Sequence, residues 1–125
     1  MTPEEFVLGI KSTVHDSVVA DVTAPPAGRK PAGRRVAVSN WYHSLPQNDQ
    51  HLANELILQT VHAAIFGVLA VIDGARVIED SGEKTEFRIV ALRQGTESVV
   101  NPPNVALHDV YQAETWDEVF GTDPS

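Results

Sequence analysis

Apolar residues recur every fourth position along the first segment, at Phe6, Ile10, Val14 and Val18. That spacing lays one stripe along a helix. Thr2-Pro3-Glu4-Glu5, just ahead of it, supplies the start: a hydroxyl N-cap, a proline suited to the first turn and a glutamate that completes a capping box. A helix is expected from about Pro3 to Ala20. Periodicity then stops. Residues 21–35 hold three Pro, two Gly and a basic cluster, and read as an extended, mobile loop. Val36 to Leu45 fits a short strand or a helical turn, anchored either way by Trp41, Tyr42 and Leu45, and Pro46 ends it.

The next apolar segment is longer. Asn48 or Asp49 is placed to cap a helix from about Gln50 to Ile72, amphipathic at first through Leu52, Leu56 and Ile57. From Val61 onward apolar residues occupy every side. A helix that is apolar all round is expected to be buried all round, so this is read as the central, buried helix. Asp73-Gly74 stops it, with Gly74 free to take the left-handed conformation.

The period then changes from 3.6 to 2, and Ala75–Glu79, Glu86–Arg93 and Glu97–Val100 read as three strands. Short Gly-bearing turns, Asp80-Ser81-Gly82 and Gln94-Gly95, imply antiparallel hairpins. A short helix from about Val105 to Gln112 and a turn around Trp116 to Phe120 close the chain. The expected fold is a single α+β domain: two N-terminal helices packed on a three-stranded antiparallel meander, followed by a short C-terminal helix.

Composition narrows the function classes. The 125 residues suffice for one domain, and 42% hydrophobic with 21% charged residues is ordinary for a globular chain. There is no cysteine, which removes disulfides, thiolate nucleophiles and Cys-ligated zinc. The N-terminus is acidic where a signal peptide is basic, and the longest apolar-rich run, Val61 to Ile72, is short of the roughly 20 residues of a membrane span. A cytoplasmic protein without a membrane partner is expected.

The net charge of −8 argues against nucleic acid as a partner, because binding a polyanion takes a concentrated basic surface. Its distribution is uneven. Arg29, Lys30, Arg34 and Arg35 cluster in one stretch and form a candidate anion-binding loop. From Gln94 onward there is no Lys or Arg but six acids, Glu97, Asp109, Glu114, Asp117, Glu118 and Asp123.

Catalytic signatures are missing: no phosphate loop, no dinucleotide fingerprint, no G-x-S-x-G and no H-E-x-x-H. His51, Glu55 and His62 share one side of the central helix, but about 16 Å separates the two histidines along its axis, so they cannot share an ion. No metal and no cofactor are expected. His15-Asp16 and His108-Asp109 repeat one dipeptide. Neighbours on a helix point about 100° apart, so neither is expected to form a dyad by itself. His15, His108 and Asp109 serve as catalytic candidates only if the terminal helices bring them together.

Three segments, Ser39-Asn40-Trp41-Tyr42, Phe66 to Gly74 (FGVLAVIDG) and Leu107-His108-Asp109-Val110-Tyr111, resemble those of small uncharacterised bacterial proteins, some of which act as immunity partners of toxins. The resemblance implies a bacterial source and a binding role, and assigns no catalytic residue. The leading expectation is therefore a non-enzymatic protein-binding module. Its candidate contact residues are Asp109, Glu114, Asp117 and Glu118, with Trp116 as aromatic anchor and a basic protein as partner. A small enzyme or ligand-binding domain using the histidines, and a structural homodimer, are the alternatives.

Overall fold

The computed structural model describes residues 1–25, 33–80 and 82–121. The chain opens with one helical rod in three parts: α1 (Pro3–Ile10), a π-helical turn (Lys11–His15) and α2 (Asp16–Thr23). Thr2 caps it, its hydroxyl accepting from the Glu5 N–H at 3.1 Å, and Pro3 occupies the first turn. At the π turn the Asp16 N–H reaches back five residues to the Lys11 carbonyl. The extra residue rotates His15 inward, and its side chain is wholly buried.

Helix α3 (Gly33–Ser44) settles the segment that sequence left between strand and turn. Tyr42 is buried and its hydroxyl donates to Asn54 Oδ1, which fixes α3 against the following helix. Pro46 separates the two, as expected, and α4 (Gln47–Ile72) follows over 26 residues. A two-stranded antiparallel hairpin, β1 (Val90–Arg93) and β2 (Thr96–Val99), turns through Gln94 and Gly95 at φ 50° and 79°. Two successive positive φ values give a turn whose twist matches that of the strands. Helix α5 (Leu107–Phe120) runs back across α1 and α4 and stops at Gly121, φ 76°. Val7, Leu69, Val100, Leu107 and Tyr111 form the buried core where α1, α4, α5 and the end of β2 meet.

Four features differ from the sequence reading. The three-stranded meander is not formed; the described residues are 65% helical with only a two-stranded sheet, so the fold is mixed but mainly helical. Ala75–Glu79 is not a strand, because the N–H groups of Ala75 and Arg76 turn back onto the Ala70 carbonyl and tie the segment to the end of α4. The first half of Glu86–Arg93 has a side chain in place of a neighbouring strand: Asn101 accepts from the Ile89 N–H at 2.6 Å and donates to the Phe87 carbonyl at 2.9 Å. Such a substitute satisfies the backbone without extending the sheet.

The loop expected at 21–35 is also shorter. Residues to Thr23 belong to α2 and residues from Gly33 to α3, while 26–32 lie outside the described residues. The C-terminal helix is longer than expected, because Trp116 to Phe120 continues it rather than forming a separate turn. Finally, α4 is central but not buried all round. Only 22% of its most apolar eighteen-residue window is buried, and the helix is long and apolar enough to cross a membrane.

Candidate functional site

Helix α5 has no N-cap of its own, since Ala106 offers no side-chain acceptor. Asp73, at the C-terminal end of α4, supplies one from 35 residues away. Its Oδ2 accepts from the His108 N–H at 2.8 Å and from His108 Nδ1 at 2.6 Å. The carboxylate side chain is 3% exposed, and its charge sits where the positive end of the α5 dipole favours it. A carboxylate only accepts, so His108 carries its proton on Nδ1. Its Nε2 edge faces Asp109 Oδ1 at 3.4 Å, and Phe66 stands edge-on to the ring at 5.3 Å.

A histidine oriented by a buried carboxylate is the arrangement of a general base or of a metal ligand. Here the pair already has a structural role, joining the end of α4 to the start of α5. The groove beside Asp73 is lined by Gly74, Lys84, Thr85, Glu86 and Arg88 rather than by His108. Among the described residues no group of three or more His, Cys, Asp or Glu is arranged to hold a metal ion.

His15 lies in a second buried cluster further along α5. Its Nδ1 meets Asp16 Oδ1 at 3.1 Å while its Nε2 is buried without a partner among the described residues. Both His-Asp dipeptides thus bring ring and carboxylate together despite their angular separation on the helix, at His15 with the help of the π turn. Asp16 also binds Lys11 at 3.0 Å, and Lys11 reaches Glu118 at 2.5 Å, tying the first rod to α5. Burial opposes the charge of Asp16, but its bonds to Lys11 and His15 outweigh that and hold it below 3.8. Burial likewise works against charged Lys11, and the two carboxylates more than compensate, raising it above 10.5.

His62, from α4, is the hub of this cluster. Its ring stacks on Tyr111 at 5.1 Å and meets Phe120 edge-on at 5.2 Å. The Thr115 hydroxyl donates to the Tyr111 carbonyl at 2.7 Å, so it accepts from His62 Nδ1 at 3.2 Å. Burial lowers the His62 pKa below 6.5, and repulsion from His15 adds to it. The unfolded chain therefore takes up this proton at a higher pH than the folded one does. The contribution of neutral His62 is complete above about pH 6.5 and is lost as the pH falls through the lower folded value. The urea midpoint is expected to fall between pH 7.5 and 5.5, and His62→Gln to flatten that slope. A midpoint independent of pH in this window overturns the assignment.

The outer face of α5 carries the remaining candidates. Trp116 and Phe120, 45% and 40% exposed, stack with centroids 4.3 Å apart. Asp109, Glu114, Asp117 and Glu118 are all exposed on the same helix, with Glu118 engaged by Lys11 and Asp109 beside His108. Of the contact residues named from sequence, Trp116 and Asp109 lie on one stripe of the helix, Asp117 is about 100° round from Trp116, and Glu114 and Glu118 are about 160° from it. Phe120, absent from that set, completes it; its position four residues after Trp116 was the available signal.

His15 and His108 are bound to different acids, one to Asp16 and the other to Asp73. Of the basic cluster, Arg34 and Arg35 are exposed in the first turn of α3, where Arg35 donates to the Asp21 carbonyl at 3.4 Å. Arg29 and Lys30 lie outside the described residues. Comparison with known protein families, curated proteins and solved structures yields no match to this chain.

Proposed function

We propose that this chain is a non-enzymatic protein-binding module that engages a basic protein through the outer face of α5. The observation that carries the reading is the exposed Trp116–Phe120 pair on a helix that carries four exposed acids, with Asp109 on the same stripe and Asp117 next to it. Large aromatics with few rotatable bonds supply contact energy at low entropic cost, and surrounding charges select the partner and speed the encounter. The helix is held from beneath by Leu107, Tyr111, Thr115 and Val119, all buried, so the surface is presented without prior ordering. Binding of this kind neutralises a partner by covering its basic surface.

The test is capture from a lysate on the immobilised chain at low salt, followed by rebinding of the purified partner. A basic protein released by a salt step is expected. Its affinity should fall at least about tenfold for Asp109→Lys with Asp117→Lys, and comparably for Trp116→Ala. Retention unaffected by both variants, or by salt, refutes the α5 surface as the site.

A further inference from the structure

One side of α4 is left open to solvent by the described residues. Leu52, Leu56 and Val68 are 65%, 67% and 60% exposed, and Trp41 of α3 beside them is 57% exposed. Two apolar grooves run along this side. One, about 430 Å³, lies between α3 and the first half of α4, with Trp41, Leu45, Leu52 and Leu56 among its walls. The other, about 340 Å³, lies between α1 and the second half of α4, bounded by Phe6, Ile10, Val14, Ile65 and Val68. Exposed apolar side chains grouped in this way mark a candidate interaction surface.

The residues of this sequence outside those described offer no apolar segment to cover them. Residues 26–32 and 122–125, the longer stretches outside the description, contain no aliphatic residue larger than alanine or proline, and no aromatic.

The pattern along α4 is self-complementary. No Asp, Glu, Lys or Arg occurs from Leu56 to Ile72, so two copies of a chain of charge −8 can meet there without opposing acids. Thr60, Ala63 and Ala64, exposed and small, occupy the middle of the helix and allow close approach. Larger side chains stand on either side, Leu52 and Leu56 before them and Val68 after, each next to one groove. The two ends also carry opposite charge. Asp49 lines the first groove, and the Arg76 guanidinium lies over Gly67, where a Cβ would sit 2.6 Å from its Nη1.

We infer that the α4 face is an isologous homodimer interface, with two α4 helices antiparallel and crossing at Thr60–Ala64. In that arrangement Leu52 and Leu56 of each copy enter the α1–α4 groove of the other, and Arg76 of each copy is directed toward Asp49 of the other. A two-fold contact requires such matching of one patch to itself. The interface is separate from the α5 surface, which lies beyond the buried side of α5, so the two are tested independently.

Sedimentation of the 125-residue chain decides the matter. The expected species is a dimer of the 13.6 kDa chain at micromolar concentration. Leu56→Glu and Val68→Glu should weaken it at least about tenfold, with helix content unchanged because both positions are exposed, while Leu92→Glu in the hairpin should leave it intact. Because the chain has no cysteine, Ala63→Cys provides a second reading: mild oxidation should join two copies, whereas Ser98→Cys should not. A monomer throughout the concentration range refutes the inference. So does flotation of the chain with phosphatidylcholine vesicles that Leu56→Glu abolishes, which would assign the same face to a membrane.

Discussion

Asp73→Ala is expected to destabilise the fold by about 3 kcal/mol. The carboxylate is nearly fully buried and accepts two hydrogen bonds from His108, one from the backbone and one from the ring. Its removal leaves a partly buried imidazole and the uncapped start of a helix. Those two consequences reinforce each other, because α5 contributes Leu107, Tyr111 and Val119 to the interior. A melting-temperature decrease of about 10–15 °C should accompany it in a chain of this size. Asp73→Asn retains an acceptor for the backbone N–H and should be milder. The comparison is made by thermal unfolding at pH 7.5, and equal stability of Asp73→Ala and wild type would show that the bond to His108 contributes nothing. The same variant should loosen the α5 surface, so partner affinity should fall without any contact residue being changed.

Tyr111 separates packing from polarity. Its side chain is wholly buried, stacked on His62, while its hydroxyl has no hydrogen-bond partner among the described residues. Tyr111→Ala should therefore cost about 4 kcal/mol through the cavity it leaves. Tyr111→Phe should be neutral or slightly stabilising, because it removes a buried polar group that gains nothing in the fold. A loss of more than about 1 kcal/mol in Tyr111→Phe would reveal an internal water or another partner at the hydroxyl. A pH dependence comes with it. Burial pushes the Tyr111 hydroxyl up to about 12, and Asp16 and Glu118 add to the shift. The folded state then holds this proton where the unfolded chain has released it, so stability falls as the pH rises from about 10 to 12. Lys11, also raised, loses its bridges to Asp16 and Glu118 in the same direction. Tyr111→Phe should remove the tyrosine part of this alkaline loss and leave the lysine part.

The role of His108 shows how the two kinds of inference divide. Its sequence context gives a helix and an adjacent acid, and invites a search for a catalytic partner. The structure pairs it instead with Asp73, which sequence identifies only as the end of a helix. The absence of a capping side chain at Ala106 signals that the cap comes from elsewhere, but no local pattern says which acid provides it.

Where local physics is strong, the chain determines its own structure. The capped start of α1, the breaks at Pro46 and Gly74 and the Gln94-Gly95 turn all follow from residue type and spacing. Decisions that depend on distant partners were left to the tertiary structure. The alternation in Ala75–Glu79 suits a strand, yet its backbone groups are satisfied by the end of α4 and no neighbour remains to pair with it. The apolar circumference of α4 suits burial, yet the described elements cover only part of it. Periodicity reports what a segment is able to bury; how much it does bury depends on how many other surfaces the fold brings to it.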